Sequence, residues 1–256
     1  MTAHASTDLA GRSALVTGSS AGIGWAVTKA LAHAGVHVVL HGLEPEARLR
    51  ELAHELPRGG GGVPVFSLDL GTPGQAEALA EGATRALGRI DILVLCASVQ
   101  FERPWAQITA EEFARQIDVN LRATLILLQR LVPPMQERRW GRVVAIGSVQ
   151  QVKPHKDMLV YAGTKAAQLS WMRNLATQVG ADGVTVNNVA PGFIDTPRNE
   201  NTLALPGARE VIRAIVPVRR LGVADDCAGT VLLLCSEQGS YINGADIAVD
   251  GGLGIT

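Results

Sequence analysis

Several common functions are excluded by what this sequence lacks. It has three cysteines in 256 residues, Cys96, Cys227 and Cys235. The number is odd and the spacing wide, so neither a disulfide framework nor the close pairs of a zinc site can be built from them. They read as reduced core thiols. The six histidines show no metal spacing either. His33, His37 and His41 run from a helix end into a strand and cannot face one point, so no metal is expected. Net charge is −1, which offers nothing to a nucleic acid or a charged membrane surface. No apolar run approaches the roughly 18 residues that a membrane helix needs. The polar stretch Met1 to Asp8 lacks the apolar segment of a secretory signal and reads as a loose tail. A cytoplasmic location is expected. Aromatics are scarce at 4%, while glycine, at 28 residues, is abundant, which suits short turns and close helix–sheet packing.

What remains is 47% hydrophobic and 18% charged, enough for one well-packed α/β domain over residues 9–256. Arg12 to Thr17 is a short apolar run, read as a buried parallel strand. It runs into Gly18-Ser19-Ser20-Ala21-Gly22-Ile23-Gly24. Ile23, Ala26, Val27, Ala30, Leu31 and Ala34 then recur at helical offsets on one face. Val36 to His41 follows as a second strand. Gly18 permits the sharp turn, and Gly22 and Gly24 let backbone N–H groups and a helix start approach a pyrophosphate.

The alternation continues. Helices are expected at Glu46 to Leu56, Gly74 to Leu87, Glu111 to Arg138, Met158 to Val179 and Asp225 to Cys235. Strands are expected at Val63 to Leu68, Ile90 to Leu95, Gly141 to Ile146, Val184 to Val189 and Ala245 to Val249. Pro57 to Gly62 is a surface connector. Asp69 ends a strand, where it either binds an adenine amine or caps a helix. Asn120 is unfavourable in mid-helix, so its side chain should bond a nearby backbone group or a water. Pro133-Pro134 should bend or restart that helix. Residues 193–217 are polar and turn-rich, and read as a lid over a substrate.

The chemistry centres on Tyr161 and Lys165. Four residues apart, they share one helical face. A phenol of pKa roughly 10 is a poor acid–base catalyst at neutral pH, and a nearby ammonium lowers that value. The pair is a candidate proton donor and acceptor for a carbonyl or alcohol. Ser148 stands thirteen residues earlier, after the fifth strand.

Taken in order, Thr17-Gly18-x-x-x-Gly22-x-Gly24, Asp69, Asn120, Ser148, Tyr161-x-x-x-Lys165 and Pro191-Gly192 make the chain resemble the short-chain dehydrogenase/reductase family over about residues 9–254. The resemblance implies a doubly wound Rossmann fold, with a seven-stranded parallel sheet, helices on both faces and a nicotinamide cofactor at the strands' carboxyl ends. It implies an NAD(P)-dependent oxidoreductase that interconverts a secondary alcohol and a ketone. Tyr161 would be the general acid or base. Lys165 would lower its pKa and hold the nicotinamide ribose. Ser148 would hydrogen-bond the reacting oxygen, and Asn120 would hold a water linking Lys165 to solvent. Cofactor contacts are implied at Gly18, Ser20, Gly22, Ile23 and Gly24 in the turn, and at Gly42 and Leu43 after the second strand. Further contacts are implied at Asp69, Leu70 and Ala97, at Tyr161 and Lys165 themselves, and at Pro191, Gly192 and Ile194. The family also implies a homodimer or homotetramer. Leu125, Ile126 and Leu128 would form the apolar seam, or else belong to the core.

The strand end His41-Gly42-Leu43-Glu44 has no acidic residue placed to grip ribose hydroxyls. No arginine precedes Gly22, and no basic residue follows the strand before Arg48. A 2′-phosphate has no evident partner, so the expectation is NAD. One departure stands out. The family's Asn-Asn-Ala-Gly is replaced by Leu95-Cys96-Ala97-Ser98, which removes an amide near the cofactor. For substrate, Gln100, Gln150, Gln151, Lys153, His155 and Arg198 form a polar, partly cationic set, or are solvated loop residues. They suggest a small polar alcohol, sugar, sugar acid or hydroxy acid. The alternatives are a 3-oxoacyl thioester reductase and, in another class, a cofactor-binding sensor or scaffold without catalysis.

Overall fold

The computed structural model describes residues 9–57 and 62–256. The tail at 1–8 and most of the connector at 57–62 lie outside the described residues. The expected alternation of strands and helices is observed. β1 (Ser13–Val16), α1 (Gly22–His33), β2 (His37–Gly42), α2 (Glu46–Ala53), β3 (Val65–Ser67), α3 (Gln75–Leu87) and β4 (Ile92–Leu95) make the first half. α4 (Ala110–Ile117), α5 (Ala123–Glu137), β5 (Gly141–Ile146), α6 (Leu159–Val179) and β6 (Val184–Pro191) follow. The end of the chain adds β7 (Ile194–Asp195), α7 (Glu200–Leu203), α8 (Ala208–Ile215), β8 (Gly222–Val223), α9 (Ala224–Cys235) and β9 (Asp246–Val249).

Seven strands form one parallel sheet in the order β3-β2-β1-β4-β5-β6-β9. Strand side chains alternate between its two faces, and both faces are buried. Leu15, Val39, Leu93, Val143 and Val186 face Leu79 of α3, Leu127 of α5 and Met172 of α6. Ala14, Val16, Val38, Leu40, Ile92 and Val144 face Leu31 of α1 and Val231 of α9. This explains why the strands read as continuous apolar runs rather than as alternating ones. The strand order reverses between β1 and β4, and that reversal opens a crevice at their carboxyl ends.

Two expectations are corrected. The long helix at 111–138 is interrupted not at its prolines but by a π-helical turn, Asp118–Arg122, which carries Asn120. Pro133 and Pro134 lie inside α5. The carbonyls they leave without an N–H belong to Gln129 and Arg130, both exposed, so solvent can serve them. The stretch 193–217 is not irregular. It holds β7, α7 and α8, and β7 pairs with β8 as a separate two-stranded ribbon. Leu203, Ile212 and Val216 from this stretch bury themselves with Val149, Leu221 and Leu253 in a third small core. The expected seam divides, with Leu128 in the core and Leu125 44% exposed.

Candidate active site

A cavity of about 460 Å³ opens at the carboxyl ends of the central strands. It collects every cofactor position expected from the sequence. The turn contributes Gly18, Ser20, Gly22, Ile23 and Gly24, and the second and third strand ends contribute Gly42, Leu43, Asp69 and Leu70. Ala97, Pro191, Gly192 and Ile194 form the far wall, and Ser148, Tyr161 and Lys165 share the same space.

The glycine turn is shaped by backbone approach. Gly18 has φ +65°, and a Cβ there would sit 3.0 Å from the Ala97 Cα. A Cβ on Gly24 would lie 2.1 Å from the Gly18 carbonyl oxygen. Thr17 ties the turn to β4, its Oγ1 accepting the N–H groups of Cys96 and Ala97 at 3.0 Å each. At the start of α1, Ala21 provides no side-chain cap and the first turn holds no acidic residue. The open N–H groups of that helix end therefore face the cavity and suit a phosphate.

His41 is a support that the sequence reading missed. Its Nδ1 accepts the Gly18 N–H at 3.0 Å, so its Nε2 carries the proton and donates to the Leu68 carbonyl at 3.1 Å. Burial drives its pKa from 6.5 down to about 4, against the Leu68 hydrogen bond and the charges of Glu44 and Asp69. The ring is a neutral strut joining β1, β2 and β3 under the turn.

The strand end also differs from expectation. Glu44 folds back over Gly42. A Cβ on Gly42 would be 2.2 Å from Glu44 Oε2 and 2.5 Å from Ser20 Oγ, so carboxylate and hydroxyl converge there. Glu44 Oε2 is buried without a hydrogen-bond partner among the described residues. Asp69 caps no helix. Its Oδ1 accepts from Arg115 at 2.8 Å and from the Gly71 N–H at 2.9 Å. The Arg115 bond is the main reason its carboxyl lies below the ordinary range.

Tyr161 and Lys165 project from α6 on adjacent turns, with Lys165 Nζ 5.7 Å from the centre of the phenol ring. Both are almost wholly buried. Burial pushes the phenol above its ordinary value of 10. The charge of Arg198, then hydrogen bonds with Ser148 and Ser98, act to lower it. The charge that bears most on the phenol is thus Arg198, not the lysine one turn along. Burial, and then Arg198, bring Lys165 from 10.5 down to about 7. Asn120 stands behind the cavity. Its Oδ1 accepts the Val99 N–H at 2.8 Å, and its Nδ2 donates to the Val99 carbonyl at 2.9 Å and to Thr164 Oγ1 at 3.1 Å. The mid-helix asparagine is thus explained by a backbone partner. Gln168, which the sequence reading did not single out, joins the Asn120 carbonyl to Lys165 Nζ.

Of the substrate positions, Gln100, Gln150 and Arg198 line the cavity. Arg198 donates to the Ser98 carbonyl at 2.7 Å and to Gln100 Oε1 at 3.5 Å, which bridges the loops after β4 and β6. The others turn away. Lys153 donates to the Leu253 carbonyl and to Thr256, tying down the end of the chain. Gln151 donates to Asp246 at 2.6 Å. His155 is exposed, and its ring lies with the carboxylates of Glu102 and Asp157, all ligand atoms within 4.8 Å of one another. Asp157 is already paired with Lys156 at 3.2 Å. Cys96, Cys227 and Cys235 are free thiols, and burial raises Cys227 and Cys235 to about 12.

A family model described as enoyl-(acyl carrier protein) reductase matches residues 18–254. Dehydrogenase/reductase SDR family member 4 of Bos taurus is 34% identical over 240 residues, 93% of this chain and 86% of that protein. The chain belongs to the short-chain dehydrogenase/reductase family. Two solved structures extend the match. A 3-oxoacyl (acyl-carrier-protein) reductase from Agrobacterium tumefaciens C58, with NADP bound, is 37% identical, with a TM-score of 0.90 and 97% of each chain covered. A proposed NAD(P)-dependent gluconate 5-dehydrogenase from Beutenbergia cavernae, also with NADP, is 32% identical at TM-score 0.90, covering 97% of this chain and 98% of the other. As a short-chain dehydrogenase/reductase the protein is an oxidoreductase, and its relatives differ in what they act on. Among the described residues, no helix is long and apolar enough to cross a membrane.

Proposed function

We propose that the protein interconverts a secondary alcohol and a ketone on a small polar substrate, with a nicotinamide dinucleotide as redox partner. The observation that carries this is one cavity lined by the glycine turn and by Ser148, Tyr161 and Lys165 together. When bound, the nicotinamide accepts or delivers the hydride. The uncapped start of α1 would hold the pyrophosphate, and Lys165 would hold the nicotinamide ribose. Tyr161 donates its phenolic proton to the carbonyl oxygen in reduction and takes it back in oxidation. Ser148 hydrogen-bonds that oxygen as charge develops on it.

Arg198 supports a substrate bearing a carboxylate or several hydroxyls, a sugar acid or hydroxy acid. Its guanidinium lines the cavity, bonded only to neutral oxygens, and no carboxylate pairs with it among the described residues. The segment 193–217 would act as the lid, since Thr196, Pro197 and Asn199 line the same space. A 3-oxoacyl thioester is the second reading, supported by the 37% identical relative described as that reductase. A homo-oligomer is supported by Trp105, Phe113 and Leu125, large apolar side chains left exposed beside and on α4 and α5; light scattering at several concentrations tests it.

We read the cofactor as NAD, because the Glu44 carboxylate over Gly42 can accept ribose hydroxyls and would repel a 2′-phosphate. NADP, as bound by the two solved relatives, is the competing choice. The test is turnover, followed at the reduced nicotinamide band, with both cofactors over sugar acids, polyols, hydroxy acids, 3-oxoacyl thioesters and steroids. Turnover confined to bulky apolar alcohols would overturn the substrate class. Glu44→Gln is expected to narrow the preference for NAD by about tenfold, roughly 1.4 kcal/mol. A preference for NADP in the unaltered protein would overturn that reading.

A further inference from the structure

We propose that Gln168 is the positioning residue of Lys165, its side-chain amide holding the lysine ammonium at the cavity wall and keeping it protonated. This inference rests on the reading of Lys165 as the residue beside the catalytic phenol.

The geometry is a closed, buried network. Lys165 and Gln168 are each 1% exposed. A buried ammonium is costly unless its protons find acceptors. Lys165 Nζ has two, the Ile146 carbonyl at 2.7 Å and Gln168 Oε1 at 3.0 Å. Ile146 supplies main chain, which no substitution removes. Gln168 is therefore the acceptor that the sequence chose.

The amide cannot turn round. Its Nε2 donates to the Asn120 carbonyl at 2.9 Å and to Thr124 Oγ1 at 3.0 Å. Thr124 in turn donates to that same carbonyl at 2.9 Å. A flipped amide would aim N–H groups at an ammonium and an oxygen at a carbonyl, two repulsive contacts in place of three bonds. The π-helical turn brings the Asn120 carbonyl to this place, and α6 sets Gln168 three residues after Lys165 on the same face.

The other groups bearing on the ammonium do not offer a compensating charge. Tyr161 stands one turn back on α6, Arg198 approaches from the loop after β6 and disfavours the protonated form, and Cys96, just after β4, would favour it only as a thiolate, a form that its own desolvation disfavours. β5 contributes only the Ile146 carbonyl, and α5 reaches it only through Gln168. Among the described residues, the amide oxygen is thus the one side-chain hydrogen-bond acceptor that sustains the positive form.

The chain has four lysines, Lys29, Lys153, Lys156 and Lys165. NMR titration of protein carrying labelled lysine side chains can therefore follow Lys165 directly, assigned by Lys165→Met. In Gln168→Leu the Lys165 titration should move down by about one pH unit, the size of a lost hydrogen bond to a charged group. In Gln168→Glu it should move up by about one unit or more, as beside an opposite charge. The pH–rate profile should shift in the same directions. Thr124→Val, which loosens the amide without touching Lys165, should give a smaller downward shift and serves if Gln168→Glu does not fold. An unchanged Lys165 titration in the folded variants would show Gln168 to be packing alone and would overturn the proposal. Absence of turnover in the unaltered protein would instead count against the proposed function, and leaves the lysine titration to decide this point.

Discussion

Tyr161 is 7% exposed and Lys165 1%, and burial moves the two in opposite directions, the phenol up and the ammonium down. Both shifts disfavour charge in a site of low dielectric. Replacing Tyr161 with Phe removes the proton donor without changing the cavity's shape. Turnover should fall by about 10²–10⁴-fold, with binding of reduced cofactor, read by its fluorescence, retained. His41 makes a second residue-scale prediction. Its folded pKa of about 4 lies below the unfolded 6.5, so between those values the unfolded chain binds the extra proton. Stability is complete above 6.5 and is lost as pH falls toward 4, by at most about 3 kcal/mol. Urea unfolding at pH 7 and 4.5 should show this slope, and His41→Asn, which keeps an acceptor but does not titrate, should flatten it.

At the scale of elements, the start of α1 and the π-helical turn do most to build the site. The first places unpaired N–H groups against the cavity, and it does so only because Gly24 lets the helix start touch the Gly18 carbonyl. Gly24→Ala would bring a methyl group to 2.1 Å from that oxygen. The turn must then shift, and cofactor affinity should fall tenfold or more, about 1.4 kcal/mol, while far-ultraviolet circular dichroism stays nearly the same. An unaltered dissociation constant would mean that the turn does not hold the phosphates. Asn120 ties the π-helical turn to Val99 through both ends of its amide, and so fixes the loop whose Ser98 meets the Tyr161 phenol.

For the molecule as a whole, the site depends on both buried faces of the sheet. Leu31 of α1 is fully buried among Val38, Ile92 and Val231. Leu31→Ala should cost about 2–5 kcal/mol, seen as a lower denaturant midpoint with unchanged slope. Because α1 carries the glycine turn on its first residues, the same variant should bind cofactor more weakly only as its unfolded fraction grows. A loss of affinity in the fully folded variant would show that packing behind α1 tunes the turn directly.

The sequence alone determined the strands and helices, their order and the glycine turn, because these follow from local rules, while the seven-stranded sheet and the grouping of Ser148 with Tyr161 and Lys165 came through the resemblance to the family. Apolar runs buried on both faces are continuous, helix faces recur every three or four residues, and a tight turn needs glycine. It did not determine contacts between residues distant along the chain. That Glu44 returns over Gly42, that His41 rather than a cation supports the turn, that Arg198 reaches the phenol, and that Lys153 leaves the site for the chain end were decided by the tertiary structure. Gln168 is the clearest case. Nothing in its neighbourhood along α6 marks it, and its meaning appears only when the π-helical turn before α5 sets the Asn120 carbonyl against it in a buried wall.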